Sequence, residues 1–379
     1  MASSGLSGAD GRPRNLIFVI ANHFEPAWTP SRVPLPVPEQ IGRVKSWLRK
    51  ARKAGNAIRD FDNAPFRHTN FYPAEQYDYD LLELLAELQA DGFGEVEVHL
   101  HHGVHHPDTA DNLRESLLDF TDTIAERHGC LSRTADDPTP RYAFVHGNYA
   151  LANSAAGRCC GVDSEMRILE ETGCYIDMTL PSAPDRSQVS RINAIYEYGG
   201  NPCHRRPHEH GPSVSVGRQP KLQAFKLPII MTGPLVFDWR LSGTRLPIPK
   251  VDSGVIARGY PLDMIRLRNW IGTGISVKGK PEWVFIKLHC HGFFPQDQDF
   301  TIGDPVIRFF DDVLNHAQRT GEFKVHFATA REAFNIVMAA AEGKTGEPGQ
   351  YRNYLLSPIM GAVGAHTMRE ADFVERVAG

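Results

Sequence analysis

The chain has no surplus of positive charge: 41 Lys and Arg stand against 45 Asp and Glu, a formal net charge of −4. A polyphosphate backbone calls for clustered cations, so nucleic acid is excluded as a principal partner. No apolar run approaches the roughly 18 residues of a membrane span. The opening stretch MASSGLSGADGRPRN lacks the apolar core of a signal peptide. Six cysteines are scattered, only Cys159 and Cys160 being adjacent, and neither Cys-x-x-Cys nor a zinc-ribbon spacing occurs. No Gly-x-Gly-x-x-Gly or Gly-x-x-x-x-Gly-Lys loop follows a strand, which argues against a nucleotide-binding fold. These absences point to an enzyme-sized cytoplasmic protein with reduced thiols and no membrane span, its oligomeric state open.

What the chain has is an alternation of strand and helix patterns over most of its 379 residues. NLIFVIANHF (15–24) reads as a buried strand. DYDLLELLAELQADG is a helix ending at a glycine, and EVEVHLHHG follows it as a strand. PDTADNLRESLLDFTDTIAERHG is a helix capped near Asp108 or Thr109, then RYAFVHGNYAL a strand, VDSEMRILEETG a helix and CYIDMTL a strand. Later come PLDMIRLRNWIGTG (helix), EWVFIKLHCHG (strand), DPVIRFFDDVLNHAQRTG (helix) and KVHFATAREAFNIVMAAAEG, strand into helix, where Thr329 and Glu332 have capping-box spacing. Such alternation implies an α/β fold with a parallel sheet, either a barrel or doubly wound. Proline-rich 29–39 and the stretch 199–219 read as long loops over one end of that fold. The expected layout is a polar tail (1–14), one domain (15–342) with its long loop near 199–219, and a C-terminal extension (343–379).

Histidine is distributed unevenly. His99, His101, His102, His105 and His106 crowd into eight positions. Period-two alternation puts Val96, Val98 and Leu100 on one face of their strand and Glu95, Glu97, His99 and His101 on the other. A second His-x-His pair, His289 and His291, shares a face with Lys287. His146 with Asn148, Asp177 with Thr179, and His23 with Glu25 also lie towards C-terminal strand ends, where parallel α/β folds place their sites. Two imidazoles at i and i+2 can reach one ion, and a catalytic centre of zinc type needs three protein ligands and an open position. His99 and His101 supply two, and His23 or Glu25 the third. The expected cofactor is one divalent metal, zinc foremost, with Fe, Mn, Co or Ni compatible with the same donors. His102, His105 and His106 are expected in a surface loop or supporting role.

The segments ANHFEPAW, HTNFYPAEQYDYDLLELLAELQADGFGEVEVHLHH, CGVDSEMRILEETGCYIDMTLPSAP and PEWVFIKLHCHG resemble a branch of the NodB-like polysaccharide deacetylases, in the wider glycoside hydrolase/deacetylase superfamily. The resemblance runs from about residue 15 to 354. It implies a distorted (β/α)7 catalytic barrel that removes N- or O-acetyl groups from carbohydrate through a metal-activated water. By motif, Asn22-His23-Phe24-Glu25 stands where the family carries its aspartates. His99 with His101 or His102 stands for the paired histidines, at a shorter spacing than His-x-x-x-His. His146-Gly147-Asn148 resembles the substrate-contacting loop, Asp177 the fourth motif's aspartate, and Lys287-Leu288-His289 the fifth, whose histidine is the general acid.

Because Asn22 does not titrate, Glu25 is the expected base, with Asp177 behind it, and His289 as imidazolium the expected acid. His146, Asn148, Asp177 and His291 are the expected substrate contacts, and Trp28, Trp239 and Trp283 are available as sugar platforms. In the loop NPCHRRPHEHG (201–211), Arg205 and Arg206 suggest a lid for an anionic substrate. The partner is thus an acetylated carbohydrate. Two other readings stand beside this one: a glycosidase pairing Glu25 with Asp177, and a degenerate glycan-binding barrel, towards which Asn22 points.

Overall fold

A computed structural model describes residues 13–219, 221–241 and 249–361 of the chain. Nearly all of the expected polar tail, and residues 362–379 of the expected extension, lie outside the described residues. In chain order the strands are β1 (Arg14–His23), β2 (His68–Pro73), β3 (Gly94–Leu100), β4 (Ser132–Thr134), β5 (Tyr142–His146), β6 (Cys174–Asp177) and β7 (Ile195–Tyr196). They continue with β8 (Ile229–Met231), β9 (Val236–Asp238), β10 (Lys250–Asp252), β11 (Trp283–His291), β12 (Phe323–Ala328) and β13 (Leu356–Pro358). The helices are α1 (Val37–Ala57), α2 (Tyr79–Ala90), α3 (Ala110–His128), α4 (Glu165–Glu171), α5 (Met264–Gly272), α6 (Gln298–Ile302), α7 (Asp304–Thr320) and α8 (Ala330–Glu342).

Nine strands share one sheet, in the order β11-β1-β2-β3-β5-β6-β8-β7. The ninth, β12, pairs with Arg14–Val19 of β1, and β2 takes over that edge from Ala21 to His23. Every pairing is parallel except β7 with β8. The fold is therefore mixed α/β with a mostly parallel sheet. The closed (β/α)7 ring expected from the resemblance is not seen: among the described residues no ladder joins β7 to β11.

Alternation along β1 sorts its side chains into two cores. Leu16, Phe18 and Ile20 pack with the helices, where α1 adds Val44, Trp47 and Leu48, and α7 adds Val306, Phe309 and Phe310. Ile17, Val19 and Ala21 face the other way, against α8. A helix lying on a sheet and covered on all sides needs no polar face, and α8 is buried from Ala330 to Ala341. Its capping box forms as the spacing predicts. Thr329 Oγ1 accepts from the Glu332 N–H and the Glu332 carboxylate accepts from the Thr329 N–H, worth about 1 kcal/mol. Asp78 and Thr109 cap α2 and α3, and α3 closes on left-handed Gly129.

The same alternation drives Glu97 into the interior. It accepts from the Tyr175 hydroxyl (2.5 Å) and the Ala143 N–H (2.6 Å), yet burial outweighs both and pushes its carboxyl up to about 8. The folded chain thus keeps a proton that the unfolded chain releases near pH 4.3. Between those values the folded state binds more protons, so this group's stabilisation is full below the lower pH and is lost as pH rises through about 8. We expect Glu97→Gln to remove that slope, gaining up to roughly 4 kcal/mol on the wild type by pH 8. Urea unfolding of both proteins at pH 5, 6, 7 and 8 checks it; parallel stability curves would refute it.

Candidate functional site

Register decides which strand ends meet. β1 and β11 pair with Ala21 beside His289, Asn22 beside Cys290 and His23 beside His291. Across β2, Pro73 stands beside His99 of β3. His23 and His291 come together with ring centroids 4.4 Å apart, His23 and His99 at 4.7 Å, and His99 and His101 at 4.5 Å. Glu25, just past the end of β1, sits among them. Its Oε1 is 3.2 Å from His101 Nε2 and 3.8 Å from His99 Nε2. Ligand atoms of Glu25, His99 and His101 lie within 4.8 Å of one another, and so do those of His23, Glu25 and His291. Glu25 belongs to both sets.

The tautomers are set by neighbours. A carbonyl only accepts, so His99 Nδ1 must donate to Val145 O (2.7 Å), which leaves its Nε2 a lone pair. That atom is buried and has no partner. His101 Nδ1 is held by Glu75 Oε1 at 2.8 Å, so its Nε2 is aimed at Glu25. An imidazole oriented by a carboxylate or carbonyl through one nitrogen, and offering the other, is the arrangement that metal-bound histidines adopt. Burial alone would lower His101, but Glu25 and Glu75 push it up to about 10. Burial alone would raise Glu25, yet the hydrogen bond from His101 and the nearby His99 imidazole hold it well below the usual carboxylate range. Burial, with imidazoles alongside, keeps His23 and His291 below their ordinary values. The residues present therefore fit a divalent ion: one carboxylate, and imidazoles of which one is an orphaned buried nitrogen.

A cavity of about 590 Å³ opens beside them. His23, Glu25, His101 and His291 line it, with Glu75, Asn148, Tyr149 and Arg32. Trp28 and Phe294, stacked 4.0 Å apart and half-buried, form an aromatic wall. The proline-rich loop contributes Thr29, Arg32 and Pro34 and thus stands over the strand ends, as expected. Gly147 lets β5 leave past this site, for a Cβ there would run into the His101 ring.

Several expected residues are placed differently. His146 shares the helix-side face with Tyr142 and Phe144, because Val145 takes the inward position at the end of β5. It bonds His102, not the cavity. Asp177 is fully buried, lines no described cavity and accepts from Thr179 N–H (3.1 Å) and Oγ1 (2.8 Å). Burial pushes its carboxyl up to about 7 and the Lys287 ammonium down to about 7. His289 lies one pleat deeper than His291 and lines a neighbouring cavity with Ser182, Asp185 and Ser253, Tyr149 standing between the two. Burial, then Lys287 and His291, hold it well below its ordinary value, which works against the imidazolium form expected of an acid.

Of the tryptophans, Trp283 is core and Trp239 is exposed elsewhere. Residues 201–211 line no part of the cavity: Arg206 bonds Gln188 O and Glu209, and His208 is buried. His105 lines the cavity from an exposed loop, His106 is exposed and His102 is buried. Asn22 has no bearing on the cavity, since its Oδ1 accepts from Gly292 N–H (2.9 Å) and its Nδ2 donates to Asn70 (3.1 Å).

No protein-family model and no curated protein matches the chain. The site is therefore argued from its own geometry. Glu75, Tyr149 and Phe294 are the participants that sequence patterning missed, for none lies on a strand face. A second grouping, His102, His146, Cys160 and Glu165, is fully buried and could bind a metal ion. A third, Asp60, Asp62 and His326, is occupied by Arg352, which reaches Asp60 at 2.8 Å and Asp62 at 3.0 Å.

Proposed function

We propose that the cavity is the active site of a metal-dependent hydrolase that removes acetyl or related acyl groups from a carbohydrate, on a distorted variant of the (β/α)7 barrel of NodB-like deacetylases. The observation that carries this reading is the buried, unpartnered Nε2 of His99 turned towards Glu25 beside an aromatic-walled cavity. Glu25, His99 and His101 would hold the ion, with His23 on the far side of the shared carboxylate. The donor set favours zinc, and Fe, Mn, Co and Ni suit the same ligands. A divalent cation there supplies a Lewis acid for an acyl carbonyl and lowers the pKa of a water.

The chain supplies the rest. His291, held below its ordinary value by burial and lining the cavity, is placed to take a proton from the attacking water, a role worth about 10²–10⁴-fold. Asn148 and Tyr149 offer donors to the acyl or sugar oxygens. Trp28 and Phe294 offer flat apolar surface to a pyranose ring. Glu25, engaged by two histidines, serves as ligand in this account rather than base. A glycosidase pairing Glu25 with Asp177 finds no support, because Asp177 does not line the cavity that Glu25 lines.

The test is acetate release from N- and O-acetylated sugars by chelator-treated protein reloaded with Zn²⁺, Mn²⁺ or Co²⁺. Release that requires the ion, and that falls about 10²–10⁴-fold in His291→Ala with metal content unchanged, is the expected result. No acetate with any metal, or metal-independent appearance of reducing ends, would overturn the reading.

A further inference from the structure

On the helix side of β5, away from the cavity, four side chains converge from four parts of the chain. His102 follows β3, His146 ends β5, Cys160 lies in the connection to α4, and Glu165 begins α4. His102 Nε2 is 2.9 Å from His146 Nε2 and 3.0 Å from Glu165 Oε1. His146 Nε2 is 3.3 Å from the same oxygen, and Cys160 Sγ is 3.5 Å from Glu165 Oε2. All four residues are buried.

The outer nitrogens of both rings are already committed. His102 Nδ1 meets the Asp108 carboxylate at 2.9 Å, and His146 Nδ1 meets the Gly147 carbonyl. Both acceptors require N–H donors, so in neutral rings the two Nε2 atoms would face each other as lone pairs beside a carboxylate, and a proton or a metal ion must come between them. That is a concentration of electron pairs which something positive must occupy. His208 lies in the same corner: Arg206 N–H bonds Ala152 O (3.0 Å), and Ala152 N–H bonds Glu165 Oε2 (2.5 Å). Both its ring nitrogens are buried without a partner.

We propose that His102, His146, Cys160 and Glu165 bind a second divalent metal, zinc by its donors, in a closed tetrahedral site separate from the cavity. Ligand atoms 2.0–2.3 Å from a tetrahedral zinc stand about 3.3–3.6 Å apart. The edges among His102 Nε2, His146 Nε2 and Glu165 Oε1, at 2.9, 3.0 and 3.3 Å, approach that size before any ion draws the group into register, and the Cys160 sulfur, 3.5 Å from the other carboxylate oxygen, completes a set whose ligand atoms all lie within 4.8 Å of one another. One sulfur, two imidazoles and one carboxylate suit zinc and are wrong for the all-oxygen shells of Mg²⁺ and Ca²⁺. Thiol, imidazole and carboxylate also make up a nucleophilic cysteine site, but none of the four residues lines a described cavity, so no substrate reaches them.

The site has a structural task. The connection from β5 to α4 holds Asn148, Tyr149, Ala152, Asn153, Ala156 and Cys159 at positive φ. Such backbone persists only where its surroundings over-determine it. An ion on Cys160 and Glu165 ties the far end of this connection to the ends of β3 and β5, and its near end carries Asn148 and Tyr149 into the cavity. Gly103, at φ 61°, permits the close approach: a Cβ there would run into the Cys160 carbonyl.

X-ray absorption at the zinc edge of the purified full-length wild type tests this without any variant. About half a sulfur per zinc, at about 2.3 Å, is expected in the shell averaged over the two ions. Cobalt-substituted protein should show a thiolate-to-cobalt charge-transfer band in the near ultraviolet, absent from Cys160→Ser and retained in His99→Ala. A fully loaded chain whose shell holds only nitrogen and oxygen overturns the proposal, as does a band unchanged in Cys160→Ser. A chain that takes up no sulfur-bound zinc and whose unfolding temperature ignores added zinc also overturns it, a proton then lying between His102 and Glu165. The hydrolase reading fails separately, if His99→Ala keeps every ion of the wild type.

Discussion

Replacing His99 with alanine is expected to strip the cavity of its metal and reduce acyl hydrolysis to background. Its Nε2 is the one nitrogen of the cluster, among the described residues, that is both buried and without a hydrogen-bond partner. Even a residue that only orients a ligand is worth roughly 10–100-fold in metal affinity, and the loss from His99→Ala should exceed about 100-fold. Glu75 provides the comparison. It touches the imidazole of His101 through Nδ1 rather than facing the Glu25 group, so Glu75→Gln should weaken binding about 10–100-fold and be rescued by excess metal. Isothermal titration with Zn²⁺, followed by turnover at saturating metal, separates the two. Equal metal content in wild type and His99→Ala would remove the basis for the proposed chemistry.

The largest expected loss of stability lies on the other side of His289. Arg266 and Asp252 are fully buried and joined by two bonds of 2.7 Å, and Trp270 Nε1 adds a third contact to the carboxylate at 3.1 Å. This clamp holds the segment after β10 against β11, where Gly254 O accepts from His289 N–H and His289 O accepts from Ile256 N–H. Asp252→Ala leaves a guanidinium buried with no counter-charge, which costs about 3–5 kcal/mol. Chemical denaturation should show that loss. Asp252→Leu combined with Arg266→Met, which removes both charges and keeps apolar volume, should recover most of it. If the single and double variants were equally destabilised, the clamp would owe its stability to packing rather than to the ion pair.

Much of the fold was legible because periodicity is a local property. Alternation in EVEVHLHH and WVFIKLHCH reports the two faces of β3 and β11, and these strands form where the pattern predicts. The caps at Thr109 and Thr329 are spacing signals that need no tertiary context. Among the elements that gave no such signal are β2 and α1. HTNFYP is buried along its whole length as β2 and therefore does not alternate. Helix α1 begins within the proline-rich stretch, where Pro36 sits at its N-cap, and prolines there read as loop.

The amino-acid pattern by itself determined which residue types gather at the C-terminal strand ends: His23, Glu25, His99, His101 and His291, because side-chain direction along a strand follows from position alone. Only the tertiary structure decided how they group. Register set His23 beside His291, and the bend after Leu100 sent His101 to Glu25 and His102 to His146. A shift of one residue reverses a side chain's face, so nothing local to HLHH or FVHGN could assign His146 and His102 to a separate buried cluster. Cys160, Glu165 and Glu75 arrive from connections whose paths depend on packing across the whole sheet. That packing, and not the spacing of histidines, brings Glu25 into both histidine groups and keeps Asp177 from lining the cavity.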